Sequence, residues 1–199
     1  MTNAPTLTDP RPFHRDAVRW LDRLAAGVHP GQMGDPTPCD EFDVRTLLAH
    51  LVSVARKLRA TAEGADITDV PHVSPGIEDG ALAGTWSADA HAMLDAWSDD
   101  ALLDLPVRVP WGRVSGREAL QGYLNELLVH GWDLAVATGR DPEADPTLVA
   151  YAMEAITRLL PAEGRAGSRF DPVVTPAPDA GPSERLANWS GRARPADVG

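Results

Sequence analysis

Glu126 and His130 lie four positions apart, and their types and spacing would let them bind one metal ion. In an α-helix, side chains at i and i+4 project from one face, with their Cβ atoms about 5 to 6 Å apart. The apolar residues around them, including Leu127 and Val129, place the pair at or near the protein interior. A carboxylate there needs a cation or good hydrogen-bond partners. The ordinary alternative for this spacing is a surface ion pair.

His50 is a third candidate ligand, because it lies within the apolar run 47–52. A lone histidine in such a run is more often a core residue bonded to a carbonyl group. With Glu126 and His130, however, it would complete a set of two imidazoles and one carboxylate from two facing helices. That set leaves coordination positions open, as in catalytic metal sites. It favours zinc first, with nickel and iron as alternatives, over calcium or magnesium.

Asp133 and Arg45 are candidates for supporting roles. Asp133 follows His130 by three positions and could accept a hydrogen bond that orients the imidazole. A helix-capping or surface role is the alternative for this residue. Arg45, near the start of the helix that carries His50, could bind a substrate carboxylate, and an ordinary salt bridge is its alternative.

For the other titratable groups, a surface or structural role is favoured over a chemical one. His91 and Asp95 share the i, i+4 spacing, but acidic neighbours predict an exposed face. Cys39 could be a redox or nucleophilic thiol, and a structural position is favoured. The remaining histidines lie in a terminus or in loops, away from any second ligand in sequence, and are treated as background: His14, His29 and His72.

Helices must position the candidate ligands. Apolar spacing of three and four predicts helices over 13–28, 44–63, 117–138 and 146–160, and one that begins after Ser87 and ends before Asp99. The segment 65–84 predicts a long loop that could act as a lid, and 105–115 a short extended pair. A short helix is possible over 183–188. We therefore expect a mainly all-α helix bundle over 1–160, with an irregular extension over 161–199 that packs on it.

Composition limits the partners of this chain. The formal net charge is −11 and the isoelectric point about 4.8, which argues against nucleic acid and anionic membranes as partners. The single cysteine excludes an intramolecular disulfide and fits a reducing compartment. No stretch approaches a membrane span, and residues 1–15 resemble neither a signal peptide nor an anchor. These features predict a cytoplasmic protein.

Several segments carry a resemblance to a known family. The segment 36–45 with the run 47–52, and the segment 123–135 with Ala137, Thr138 and Gly139, resemble actinobacterial DinB-like metalloproteins related to mycothiol-dependent maleylpyruvate isomerase. The tail segments 165–173 and 184–186, with Gly191 and Arg192, resemble the ending of one branch of that family. Phe42 stands where relatives generally have tryptophan.

The resemblance implies a fold and a ligand set. It implies a four-helix bundle of up-down-down-up type, and it puts His50, Glu126 and His130 in the places of the family's His, Glu and His metal ligands. The isomerase resembles this chain in the bundle only, because its additional carboxy-terminal domain is replaced here by a shorter tail. Relatives often form dimers, and the sequence leaves monomer and homodimer open.

The functional expectation follows from the open metal position. The first hypothesis is a metal-dependent enzyme that uses a thiol such as mycothiol as a nucleophile toward a small electrophilic substrate, as a transferase or isomerase. The alternatives are a metal-dependent hydrolase and a non-catalytic protein that binds metal or a small molecule.

Overall fold

The computed structural model describes residues 9–165 and 170–194. Predicted features that fall on 1–8, 166–169 and 195–199, including parts of the terminus and of the tail motif, lie outside the described residues. The helices are α1 (Arg11–Ala26), α2 (Val44–Glu63), α3 (Leu82–Ala96), α4 (Gly116–Ala137), α5 (Pro146–Leu159) and α6 (Pro182–Trp189). The strands are β1 (Pro106–Val109) and β2 (Gly112–Ser115).

Helices α1 to α4 form a four-helix bundle, as the sequence predicted. α1 packs against α3 and α4, and α2 packs against the same two helices, so each helix has two neighbours around a common core. The core is apolar and contains three fully buried tryptophans, Trp86, Trp97 and Trp132. α2 and α4, which carry the three candidate ligands, are direct neighbours in this arrangement.

The ends of α2 and α4 follow from local side-chain chemistry. The carboxylate of Asp43 accepts a hydrogen bond from the backbone N–H of Thr46 at 2.8 Å and caps α2. α2 ends where Gly64 adopts the left-handed conformation, with φ of 67°. Ser115 and Glu118 form a reciprocal capping box at the start of α4. These caps fix where each ligand lies along its helix.

Helix α3 begins earlier than the sequence predicted. Ser87 was expected to cap this helix, but it lies inside α3, which starts at Leu82. The apolar side chains of Leu82 and Trp86 are buried, so tertiary packing extends the helix through a region whose glycines suggested a loop. The predicted loop 65–84 is correspondingly shorter and contains two single-turn 3-10 helices, Ile67–Asp69 and Asp79–Ala81.

The remaining predicted elements are present. β1 and β2 form an antiparallel hairpin in which Val107 pairs with Val114. The short helix expected over 183–188 is α6, and it packs on α4 and α5. Among the residues that the structure describes, no helix is both long and apolar enough to cross a membrane.

Candidate metal centre

His50, Glu126 and His130 converge between α2 and α4. One side-chain donor atom from each lies within 4.8 Å of the other two. The Nε2 atom of His130 is 3.4 Å from an Oε2 of Glu126, as expected for residues one helical turn apart. The imidazole rings of His50 and His130 are 4.9 Å apart between centroids and nearly perpendicular, at 77°.

The Nδ1 atom of each imidazole is already committed to a hydrogen bond. Nδ1 of His50 donates to the backbone carbonyl of His72 at 2.8 Å. Nδ1 of His130 donates to Oδ2 of the buried Asp133 at 3.0 Å. Because both partners are acceptors, the hydrogen of each neutral ring resides on Nδ1 and the Nε2 lone pair is left for the site. Metal-binding histidines are typically oriented in this way.

These residues fit a divalent metal ion. In a tetrahedral zinc site with ligand distances of about 2.0 to 2.1 Å, neighbouring donor atoms are about 3.3 Å apart. The separation of 3.4 Å between His130 and Glu126 matches that spacing. Two neutral imidazole nitrogens and one carboxylate oxygen suit zinc, nickel or iron better than the harder calcium and magnesium ions.

Electrostatics also favour a cation between the three groups. Burial by itself would raise the pKa of Glu126, but hydrogen bonds and charge from His130 and His50 outweigh it, so the pKa of this carboxyl lies below its usual range. Burial by itself would lower the pKa of His130, but Asp133 and Glu126 raise it to about 9. In the absence of another cation, a proton on His130 therefore compensates the carboxylates around it.

The centre has an apolar wall and a partly exposed carboxylate. The ring of Phe42 lies 4.9 Å from that of His50 and 6.1 Å from that of His130, and it is buried. Both histidines are 5% exposed. The side chain of Glu126 is 32% exposed, so solvent contacts this carboxylate.

A second cluster shares His130 but already contains a cation. Donor atoms of Cys39, His130 and Asp133 also lie within 4.8 Å of one another. The guanidinium of Arg192 donates to Oδ2 of Asp133 at 3.3 Å and to Sγ of Cys39 at 3.2 Å. Burial, to which the Asp133 charge adds, raises the pKa of the Cys39 thiol above its usual value despite the nearby guanidinium. This cluster therefore does not need a metal to balance its charge.

His91 and Asp95 belong to neither cluster, and Arg45 has a carboxylate partner outside both. Arg45 forms two hydrogen bonds of 2.6 Å with the carboxylate of Asp79. This is the ordinary salt bridge that the sequence offered as the alternative to substrate binding. His91 and Asp95 are exposed on α3, as predicted, and Nδ1 of His91 donates to the backbone of Ser87 within its own helix. A role for Arg45 in substrate binding stays a prediction.

Sequence reasoning missed two residues beside the centre. His72 was treated as background, yet its carbonyl holds His50 and its ring lies 4.5 Å from the His50 ring. The segment around it is tied to α2, because Ser74 donates its backbone N–H to Ala49 at 3.2 Å. Arg192 lies 59 positions beyond Asp133. The sequence marked Arg192 only as part of the tail motif and gave neither residue a place at the centre, because each meets the centre only through the folded path of a loop or of the tail.

The bundle and its His-Glu-His cluster define a helical protein with a candidate metal centre between two helices. The family model for the mycothiol maleylpyruvate isomerase N-terminal domain matches residues 14–135, and the chain belongs to this family. All three candidate ligands lie within the matched region. The family predicted from the sequence is thereby confirmed.

The chain is also similar to individual proteins. The chain is 28% identical to the uncharacterized proteins MT0763 and Rv0738 from two strains of Mycobacterium tuberculosis, over 92% of this chain and 98% of theirs. A crystal structure of mycothiol-dependent maleylpyruvate isomerase has a similar fold, with a TM-score of 0.59 and 20% identity. That match covers 79% of this chain and 68% of the isomerase chain.

Proposed function

We propose that this protein is a divalent-metal-dependent enzyme that uses mycothiol to transform a small electrophilic molecule, by group transfer or isomerisation. The observation that carries the proposal is the convergence of His50, Glu126 and His130 within 4.8 Å. Membership of a family described by its mycothiol-dependent isomerase supports the thiol. A divalent ion held by these three groups would act as a Lewis acid that lowers the pKa of a thiol.

The protein's own groups prepare this centre. Asp133 holds the hydrogen on Nδ1 of His130, and the His72 carbonyl does the same for His50, so the Nε2 lone pair of each ring would be available to hold an ion. Phe42 excludes water from one side of the two rings. Glu126 is partly exposed, and a small substrate would approach a bound ion from the side of this carboxylate.

The substrate is not carried over from the isomerase. That match shows a shared fold and covers 68% of the isomerase chain, so the rest of that enzyme has no matched counterpart here. The residues around the centre are therefore expected to select a substrate of their own. Maleylpyruvate is one compound to test, and a reactive aryl halide is a more general electrophile.

Metal content and thiol dependence test this proposal directly. Protein prepared without a histidine tag should contain about one equivalent of divalent metal by elemental analysis, and His50→Ala should lose it. His91→Ala is the matched control, because this exposed histidine lies outside the cluster. Consumption of the aryl halide should require both the metal and mycothiol.

Three results would contradict the proposal. Metal retained at wild-type level by His50→Ala would remove the proposed centre. Turnover of esters or amides without a thiol would replace the thiol chemistry with hydrolysis. Metal bound at the centre without thiol-dependent turnover of either electrophile would favour a binding protein.

A further inference from the structure

The C-terminal segment contributes a residue to the surroundings of the candidate metal centre. Asp133, which holds His130, is fully buried, and its Oδ2 accepts hydrogen bonds from both His130 and Arg192. Its Oδ1 has no hydrogen-bond partner among the described residues. A buried carboxylate needs a nearby positive charge or good hydrogen-bond donors, and the guanidinium supplies both to Asp133.

The position of Arg192 is set by the end of α6. Gly191 follows this helix with φ of 93°, and the N–H of Arg192 bonds back to the carbonyl of Ala187 at 2.9 Å. A Cβ atom on Gly191 would lie 2.7 Å from that of Asp171, so a side chain does not fit there. The chain therefore reverses at glycine, and the Arg192 side chain reaches the residues behind the metal centre.

The tail that carries Arg192 is itself fixed to the bundle. Arg165 donates to the carbonyls of Asp171 and Trp189, at 3.0 and 2.6 Å. Asn125, the residue before Glu126, donates to the hydroxyl of Ser190 at 3.3 Å. The Arg165 contacts hold the tail together. The Asn125 hydrogen bond and the packing of α6 on α4 hold the tail along the helix that carries two of the three candidate ligands.

One guanidinium thus joins three segments of the chain. Arg192 from the tail contacts Asp133 on α4 and Cys39 in the loop that leads to α2. α2 carries His50, and α4 carries Glu126 and His130. We propose that Arg192 is a positioning residue of the metal centre, which fixes Asp133 and through it the His130 imidazole. This inference rests on the proposed metal site and adds the tail to it.

The affinity of the protein for Co²⁺, measured without thiol or substrate, tests the role of Arg192. In the full-length protein, Arg192→Met removes the charge and both hydrogen bonds, and Kd for Co²⁺ should rise about 10- to 100-fold, as for other changes behind a metal ligand. The visible absorption of bound Co²⁺ should also change, because His130 is no longer held in one orientation. Arg185→Gln is the matched control, since this exposed tail arginine bonds to the nearby tail carbonyls of Ala180 and Pro178, and the Kd of the variant should stay within about twofold of wild type.

A double-mutant cycle separates positioning from general stabilisation. If Arg192 acts through Asp133, then Arg192→Met should change Kd by less than about threefold in an Asp133→Asn background. Should Arg192→Met fail to fold, Arg192→Lys is the second variant. It keeps a positive charge near Asp133 but loses the planar guanidinium that bonds to Asp133 and Cys39 together, and the Kd for Co²⁺ should rise about 3- to 10-fold. Circular dichroism of the metal-free variants reports their folding.

The outcomes distinguish this inference from the proposed function. Wild-type protein that does not bind Co²⁺ would refute the metal site, and with it the role of Arg192. Wild-type protein that binds Co²⁺, together with an Arg192→Met or Arg192→Lys variant of equal affinity and unchanged absorption, would refute the role of Arg192 alone. An Arg192→Met effect of the same size with and without Asp133 would also refute it.

Discussion

At the scale of single residues, the charges of two carboxylates determine what the candidate centre can bind. Glu126 and Asp133 flank His130 on its two nitrogen sides, and the three groups are at least partly buried. Arg192 compensates the charge of Asp133, and the charge of Glu126 remains. A second positive charge at the site is therefore favourable, either as a proton on His130 or as a metal ion. Proton and metal therefore compete for Nε2 of His130.

This competition predicts the pH dependence of metal binding. Because the pKa of His130 in the metal-free protein is raised to about 9, metal binding near neutral pH must release one proton from this ring. The affinity for a divalent ion should rise about tenfold per pH unit between about pH 7 and pH 9 and level off above that. Glu126 should not add to this slope, because its pKa is lowered and it is already ionised.

Competition titrations against a chelator of known pH dependence would measure the slope. The Asp133→Asn variant provides the control, since loss of this charge lowers the pKa of His130 and should move the plateau to lower pH. An affinity that does not vary over this range would show that no proton leaves on binding.

At the scale of elements, the close approach of α1 and α4 decides how the ligand helix is held. Gly131 follows His130 directly, and a Cβ atom built on it would lie 2.1 Å from the Trp20 ring of α1. Trp20 is buried, so its ring has little room to move aside. The glycine lets the two helices pack at this level and seats His130 against the core.

A pair of glycine substitutions tests this packing. Gly131→Ala should lower the free energy of unfolding by about 1 to 2 kcal/mol, because overpacking outweighs the gain in helix propensity. Gly84→Ala is the matched control in α3, where a Cβ atom meets no atom within 4 Å, and it should raise stability by up to about 1 kcal/mol. Urea denaturation of the metal-free proteins measures both, and equal shifts of the same sign would contradict the packing argument.

At the scale of the whole molecule, the bundle contains a buried histidine outside the candidate metal centre. His14 of α1 is 1% exposed and donates from Nε2 to the backbone carbonyl of Leu120 in α4 at 2.7 Å. Burial lowers its pKa from 6.5 to about 4, more than the hydrogen bond raises it. The folded protein therefore holds this ring neutral at pH values where the unfolded chain protonates it.

The sign of the resulting pH effect is fixed by these two pKa values. The contribution of neutral His14 to the free energy of unfolding is fully present above pH 6.5. It is lost as the pH falls from 6.5 through about 4, and the loss amounts to roughly 3 kcal/mol. His14→Gln should flatten this part of the acid denaturation curve, while His91→Gln, at an exposed position, should leave it unchanged. Unfolding free energies measured across this pH range would show the difference, and identical slopes in wild type and His14→Gln would contradict it.

The sequence alone determined most of the helices and the identity of the candidate ligands. The apolar period, the caps at Asp43 and Ser115 and the glycines after α2 and α4 are local signals, and such signals set helix bounds without reference to the rest of the chain. The i, i+4 spacing of Glu126 and His130 likewise depends only on helix geometry. The early start of α3 was missed, because burial of Leu82 and Trp86 depends on other helices.

Only the tertiary structure decided which groups lie around the candidate ligands. His72 reaches His50 through a loop, and Arg192 reaches Asp133 from a tail more than fifty positions away. The reason is physical: helix periodicity reports contacts within one or two turns, whereas charge compensation in a buried site depends on which distant segments pack against it. The sequence therefore proposed the three ligands, and the fold supplied the groups that orient them.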